Sequence, residues 1–126
     1  MDKTLLIDGK DVKFRATALT LRLYRHLIGR DMVQDMNQLR KAYNKAAALG
    51  EDATEEERQD AQFSMIDLEI FENVSYVMAR HADPEIPGTV EEWLEGFQMF
   101  SIWKILPEII KLWNINEATT SKPKKK

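Results

Sequence analysis

Two histidines, His26 and His81, and a few clusters of carboxylates are the groups in this sequence that could move a proton or hold a metal ion. Neither histidine stands in a His-x-x-x-His or His-Glu-x-x-His spacing, so a metal would need a carboxylate from far along the chain. Both are read as structural or surface residues. The pair Glu91-Glu92 and the run Glu55-Glu56-Glu57 could supply general acid and base groups, but each sits at a predicted helix start, where capping and the helix dipole account for it. The chain has no cysteine, which removes thiolate nucleophiles, disulfides and the commonest zinc sites. No Gly-x-Gly-x-x-Gly loop and no Gly-Lys-Ser or Gly-Lys-Thr phosphate cradle occurs. No catalytic residue, metal or cofactor is therefore expected, and the protein is read as a non-enzyme that binds other proteins.

The surplus lies in apolar residues. Trp93, Phe97, Phe100, Trp103 and Trp113 crowd together near the C-terminus, with Ile109 among them. Tryptophan is enriched among interface anchors, so these six form the candidate partner-binding set. The competing interpretation, that they fill the core, stays open. Met32, Met36, Met65, Met78 and Met99 divide in the same way between core packing and an adaptable surface for varied apolar ligands.

The 126 residues suit one domain with a single core. With 44% hydrophobic and 31% charged residues the balance is that of a globular protein. No apolar run approaches the roughly eighteen residues that cross a bilayer, so no membrane partner is expected. The first residues lack the pattern of a secretory signal, which points to the cytoplasm. Formal net charge is −3, but Lys122, Lys124, Lys125 and Lys126 are gathered at the end, leaving 14 basic against 21 acidic residues elsewhere. Such a body repels a phosphate backbone, and no nucleic acid partner is expected.

The positioning elements follow from periodicity. Thr4 to Ile7 and Asp11 to Ala16 flank Asp8-Gly9 and predict a β-hairpin over 1–16, with Val12, Phe14 and Ala16 on one side. A lone hairpin is marginal in water, so it must lean on helices or pair with another chain. Beyond it the pattern turns helical. Thr20 is expected to cap a short helix ending at Gly29. Asp31 caps a second helix with Met32, Met36, Leu39, Tyr43 and Ala46 on one face and Gly50 as its stop. Thr54 to Glu57 reads as a capping box opening one long central helix, with Phe63, Ile66, Ile70, Val74, Val77 and His81 on its stripe. Asp83-Pro84 and Pro87-Gly88 end it. Thr89 to Glu92 starts the next segment, which bends at Gly96. A last helix is predicted over roughly Gln98 to Trp113, where Pro107 either kinks it or begins a new helix. The expected fold is mainly α: a helical bundle with a short N-terminal β-hairpin and a disordered C-terminal tail. One domain covers 1–115, with helices over 20–113, and the lysine-rich tail covers 116–126.

The order of hairpin, Phe14-Arg15-Ala16-Thr17, Leu21-Arg22-Leu23-Tyr24-Arg25 and Gly29-Arg30-Asp31-Met32 resembles the N-terminal region of tail assembly chaperones from long-tailed, siphovirus-type phages of Gram-positive bacteria. The long helix, Thr89-Val90-Glu91-Glu92-Trp93-Leu94, Ile105-Leu106-Pro107-Glu108-Ile109-Ile110, Leu112-Trp113 and the lysine-ending tail are similar to the same family. The resemblance spans nearly the whole chain through the order of short motifs, with Tyr24, Arg25, Gly29, Arg30 and Asp31 as the family-like residues. It implies a largely helical, self-associating protein of the host cytoplasm, absent from the mature virion. Such a protein binds the tape measure protein, keeps it soluble and helps tail tube subunits assemble around it. It also implies a longer frameshifted product. If Pro123 ends in A and Lys124-Lys125 is encoded AAA-AAG, the message contains a slippery run; otherwise the end is a plain charged tail. A structural morphogenesis or connector protein is the alternative, and a small helical DNA-binding regulator is disfavoured by the acidic body.

Overall fold

The computed structural model describes residues 1–49, 52–60 and 62–120. Asp8 and Gly9 both take left-handed backbone angles, φ 56° and 78°, as a two-residue hairpin loop needs in order to match strand twist. They join β1 (Asp2–Ile7) to β2 (Lys10–Arg15) in an antiparallel ladder that sets Ile7 opposite Lys10, Leu5 opposite Val12 and Lys3 opposite Phe14. Side chains alternate along each strand, so Leu5, Ile7, Val12 and Phe14 share one face and Ala16 extends it. Ile7, Phe14 and Ala16 are buried.

Thr17, not Thr20, caps α1 (Ala18–Ile28). Its hydroxyl accepts the Leu19 N–H at 3.1 Å, while the Thr20 hydroxyl accepts the Thr17 N–H at 2.8 Å. The expectation was one turn late because Thr20 is the third helical residue and completes a capping box built from two threonines. Gly29 closes the helix at φ 83°, donating its N–H to the Arg25 carbonyl at 2.9 Å. Asp31 caps α2 (Met32–Ala47) through the Val33 N–H, 2.9 Å away. That helix closes on Ala48, and the predicted stop at Gly50 lies outside the described residues.

The single long helix expected from Thr54 is two. The Thr54–Glu57 box forms, with bonds of 2.9 and 3.1 Å, and opens α3 (Glu55–Asp60). A second box, Ser64 with Asp67, closes at 3.0 Å in both directions and starts α4 (Met65–Ala82). Local bonds of this kind offer the backbone an alternative to continuing a helix. Ile66 then falls in the first turn of α4 and is 59% exposed rather than part of a buried stripe. Thr89 caps α5 (Val90–Glu95), which ends at Gly96.

The last helix, α6 (Ile102–Thr120), begins later than Gln98 and continues past Trp113, with Pro107 inside it rather than in a new first turn. The Gln98 N–H is donated to the Asp8 carboxylate at the hairpin tip, 2.9 Å away, and the Ser101 carbonyl accepts the Ile105 N–H at 3.0 Å where the helix begins. Lys10 reaches the same segment, donating to the Gly96 carbonyl. The remaining lysine-rich residues, 121–126, lie outside the described residues.

As its predicted stripe implied, α4 is central, touching β2, α1, α2, α5 and α6. Ile70, Phe71, Val74, Val77 and Met78 of α4 share one buried cluster with Phe14, Tyr24, Met32, Met36 and Leu39, and Leu106, Ile109 and Trp113 belong to it too. At the end of α4, His81 Nε2 lies 2.9 Å from the Thr17 hydroxyl. A neutral imidazole can accept that hydroxyl's proton and leave the oxygen free for the Leu19 N–H.

Burial holds the His81 pKa below its ordinary value; Arg15 and the N-terminal ammonium add to the effect, and Asp2 opposes it. The unfolded chain therefore binds a proton on His81 more readily than the folded one. Stability is present above the ordinary value of 6.5 and is lost as pH falls through the lower folded value. Urea midpoints at pH 7.5 and 5.5 are expected to differ more in the parent than in His81→Gln. Equal differences would show that His81 does not carry the effect. Glu72, raised by burial and by Glu69, acts in the opposite direction in both proteins and cancels.

Candidate protein-binding surface

Two of the family-like residues meet a carboxylate that the sequence did not single out. Asp35, in the first turns of α2, accepts the Tyr24 hydroxyl at 2.6 Å and is gripped by Arg30 through Nε at 2.8 Å and Nη2 at 2.7 Å. Tyr24 is fully buried and Asp35 is 2% exposed. Burial alone would raise the Asp35 pKa, but the hydrogen bonds from Arg30 and Tyr24 outweigh it and hold the carboxyl below its usual range. Burial and the same carboxylate push the Tyr24 phenol up.

With Gly29 turning the chain and Asp31 capping α2, this network ties α1 to α2. Arg25 stays exposed beside it, and its carbonyl receives the Gly29 N–H. These residues therefore have structural work. The signal for Asp35 was a carboxylate at core spacing, between Met32, Met36 and Leu39 on an otherwise apolar stripe.

The aromatic set divides. Trp93 stacks edge-on against Phe97 and Phe100, with centroids 5.3 and 5.2 Å apart, and lies 5.6 Å from Tyr76. Phe100 also meets Phe71 at 5.3 Å. Trp93 is buried, Phe97 and Phe100 are half-buried, and together they pin α5 and the segment before α6 onto α4. Ile109 and Trp113 are buried in the core from α6. Of the six, Trp103 is the one that is mostly exposed, at 54%, leaning on Phe63 at 5.2 Å and Tyr43 at 6.1 Å.

Apolar exposure gathers around the first turn of α6. On one flank Met65 and Ile66, at 86% and 59% exposed, open α4 just beyond the Ser64 cap that follows Phe63, the ring against Trp103. On the other, Leu6, Ile7, Met99 and Ile105 line a cavity of about 260 Å³ beside Lys104. Leu6 and Met99 are 73% and 71% exposed. Pro107, inside α6, has no N–H to offer the Trp103 carbonyl four residues earlier.

This surface combines a large rigid aromatic with flexible thioethers, a composition suited to apolar segments of varied shape. Met32, Met36 and Met78, by contrast, are core. Sequence periodicity missed Ile66 and Leu6 because each lies on a pattern that also reads as buried.

A larger cleft of about 710 Å³ runs between α2 and the start of α4, lined by Gln34, Gln38, Lys41, Lys45, Gln62 and Asp67. Its carboxamides and lysines carry no nucleophile paired with a base. Among the described residues no group of three or more His, Asp or Glu side chains is placed to hold a metal ion, and no helix is long and apolar enough to cross a membrane. No known family, curated protein or solved structure matches the chain.

Proposed function

We propose that this chain is a phage tail assembly chaperone, a non-catalytic binding protein that holds the tape measure protein soluble and promotes tail tube assembly around it. Its partners are the tape measure protein, the tail tube protein and further copies of itself, and it works in the host cytoplasm without entering the virion. The observation that carries this reading is the exposure of the apolar side chains Trp103, Met65, Ile66 and Met99. A holdase needs such surface with loose specificity, and an acidic body limits its own aggregation. The motif order from Tyr24-Arg25 to Leu112-Trp113 supplies the choice of client.

The test is co-expression with the tape measure protein of the same genome. Soluble tape measure protein is expected only when this chain is present. Trp103→Ser together with Met99→Ser is expected to return most of the client to the insoluble fraction. Because both side chains are largely exposed, that variant should lose only roughly 1 kcal/mol of its own stability. An insoluble fraction unchanged by the parent protein would overturn the proposal, as would finding this chain in purified particles.

A further inference from the structure

Met1 and Ala16 exchange both backbone hydrogen bonds: the Met1 ammonium donates to the Ala16 carbonyl at 3.0 Å, and the Ala16 N–H donates to the Met1 carbonyl at 2.9 Å. In an antiparallel ladder such pairs alternate with pairs that exchange none. The register therefore makes Lys3–Phe14, Leu5–Val12 and Ile7–Lys10 the bonded pairs, and Asp2, Thr4 and Leu6 direct their N–H and C=O groups away from β2. Among the described residues no backbone hydrogen bond outside the hairpin reaches those groups, and the sheet has no third strand. Asp2, Thr4 and Leu6 are all exposed.

We propose that this edge of β1 pairs antiparallel with the same edge of a second copy, about a two-fold axis through Thr4. The result is a four-stranded sheet with the two β1 strands at its centre. In this register Thr4 faces the partner's Thr4, Asp2 faces the partner's Leu6, and every outward backbone group of β1 finds a counterpart.

The side chains fit the same arrangement. Paired threonines are a favourable cross-strand combination, and no like charges meet. Asp2 is already neutralised by Arg15, through bonds of 2.9 and 3.0 Å. Lys3 faces the partner's Leu5 while its own ammonium lies 3.4 Å from Glu108. Met1, 60% exposed, comes opposite the partner's Ile7. The other edge of the hairpin differs: β2 carries Asp11, Lys13 and Arg15 there, and charged residues are the usual protection of an edge against pairing. One edge is guarded and the other is open. The contact deepens the self-association in the reading above, resting on it for purpose but not for geometry.

Light scattering on the full chain, without any client, tests it. The parent protein is expected to be dimeric or a multiple of a dimer. Thr4→Lys sets two ammonium groups face to face and is expected to raise the dissociation constant at least tenfold with an unchanged circular dichroism spectrum, since residue 4 is exposed. The chain has no cysteine, so Thr4→Cys introduces one thiol at the axis. Mild oxidation should convert that variant to a covalent dimer, and should leave Lys13→Cys on the guarded edge largely monomeric. A parent protein that stays monomeric at high concentration, assembly untouched by Thr4→Lys, or equal cross-linking of the two cysteine variants would each overturn the proposal. Because no tape measure protein is present, failure here and failure of the chaperone reading are separate results.

Discussion

Replacing Trp113 by alanine is expected to destabilise the fold by about 3–5 kcal/mol, the range for emptying a buried tryptophan site. Trp113 is 1% exposed and ends the row Leu106, Ile109, Trp113 that holds α6 against α4. A domain of this size is stable by roughly 5–15 kcal/mol, so the loss is a large fraction of the total. Its indole N–H has no hydrogen-bond partner among the described residues, and a buried donor without a partner costs stability. Trp113→Phe removes that donor along with part of the volume and is expected to cost only about 1–2 kcal/mol. Guanidinium unfolding followed by far-UV circular dichroism separates the two. A Trp113→Ala loss below that of Trp113→Phe would contradict the packing described for α6.

The second large effect is expected at Asp35. Asp35→Ala should cost about 3 kcal/mol, because hydrogen bonds to a charged group are worth roughly 1.5–3 kcal/mol and the buried Tyr24 hydroxyl loses its partner. The cost stays below that of breaking a fully buried ion pair because the Arg30 side chain is 53% exposed and can be rehydrated. Tyr24→Phe should cost about 1–2 kcal/mol, since Arg30 still satisfies the carboxylate. The double variant should lose less than the two single losses added together, which is the mark of a direct contact.

The Asp35 carboxyl is held below its ordinary 3.8 when folded, so its contribution is present above that value and disappears as pH falls through the lower folded one. Urea titrations of the parent and of Asp35→Asn at pH 6 and pH 3 measure this; a gap between them that fails to narrow at the lower pH would refute it.

These two sites and the proposed binding surface divide the molecule by exposure. Trp93 and Trp113 are dry, while Trp103 is wet. A variant at Trp103 therefore tests the proposed client binding with the fold intact, whereas a variant at Trp113 disturbs the fold itself.

Local rules made the hairpin, most of the helix starts and the central helix legible in the sequence. Asp8-Gly9 allows the two positive φ values, Gly29 takes the left-handed cap, and Asp31 and Thr89 bond to N–H groups two or three residues away. Each depends on neighbours within one turn. Reading failed where two local solutions competed. Thr17 and Thr20 can each cap α1, and Ser64-Asp67 interrupts a helix that periodicity alone would continue. Tertiary contacts decided the rest. Gln98 is tied to Asp8, ninety residues away in sequence. Asp35 is buried because Tyr24 and Arg30 converge on it from across the turn. Trp103 differs from Trp93 and Trp113 only in what packs over it. Composition fixes how much apolar surface a chain owns, but which of it stays uncovered depends on the arrangement of distant elements, and no local pattern encodes that.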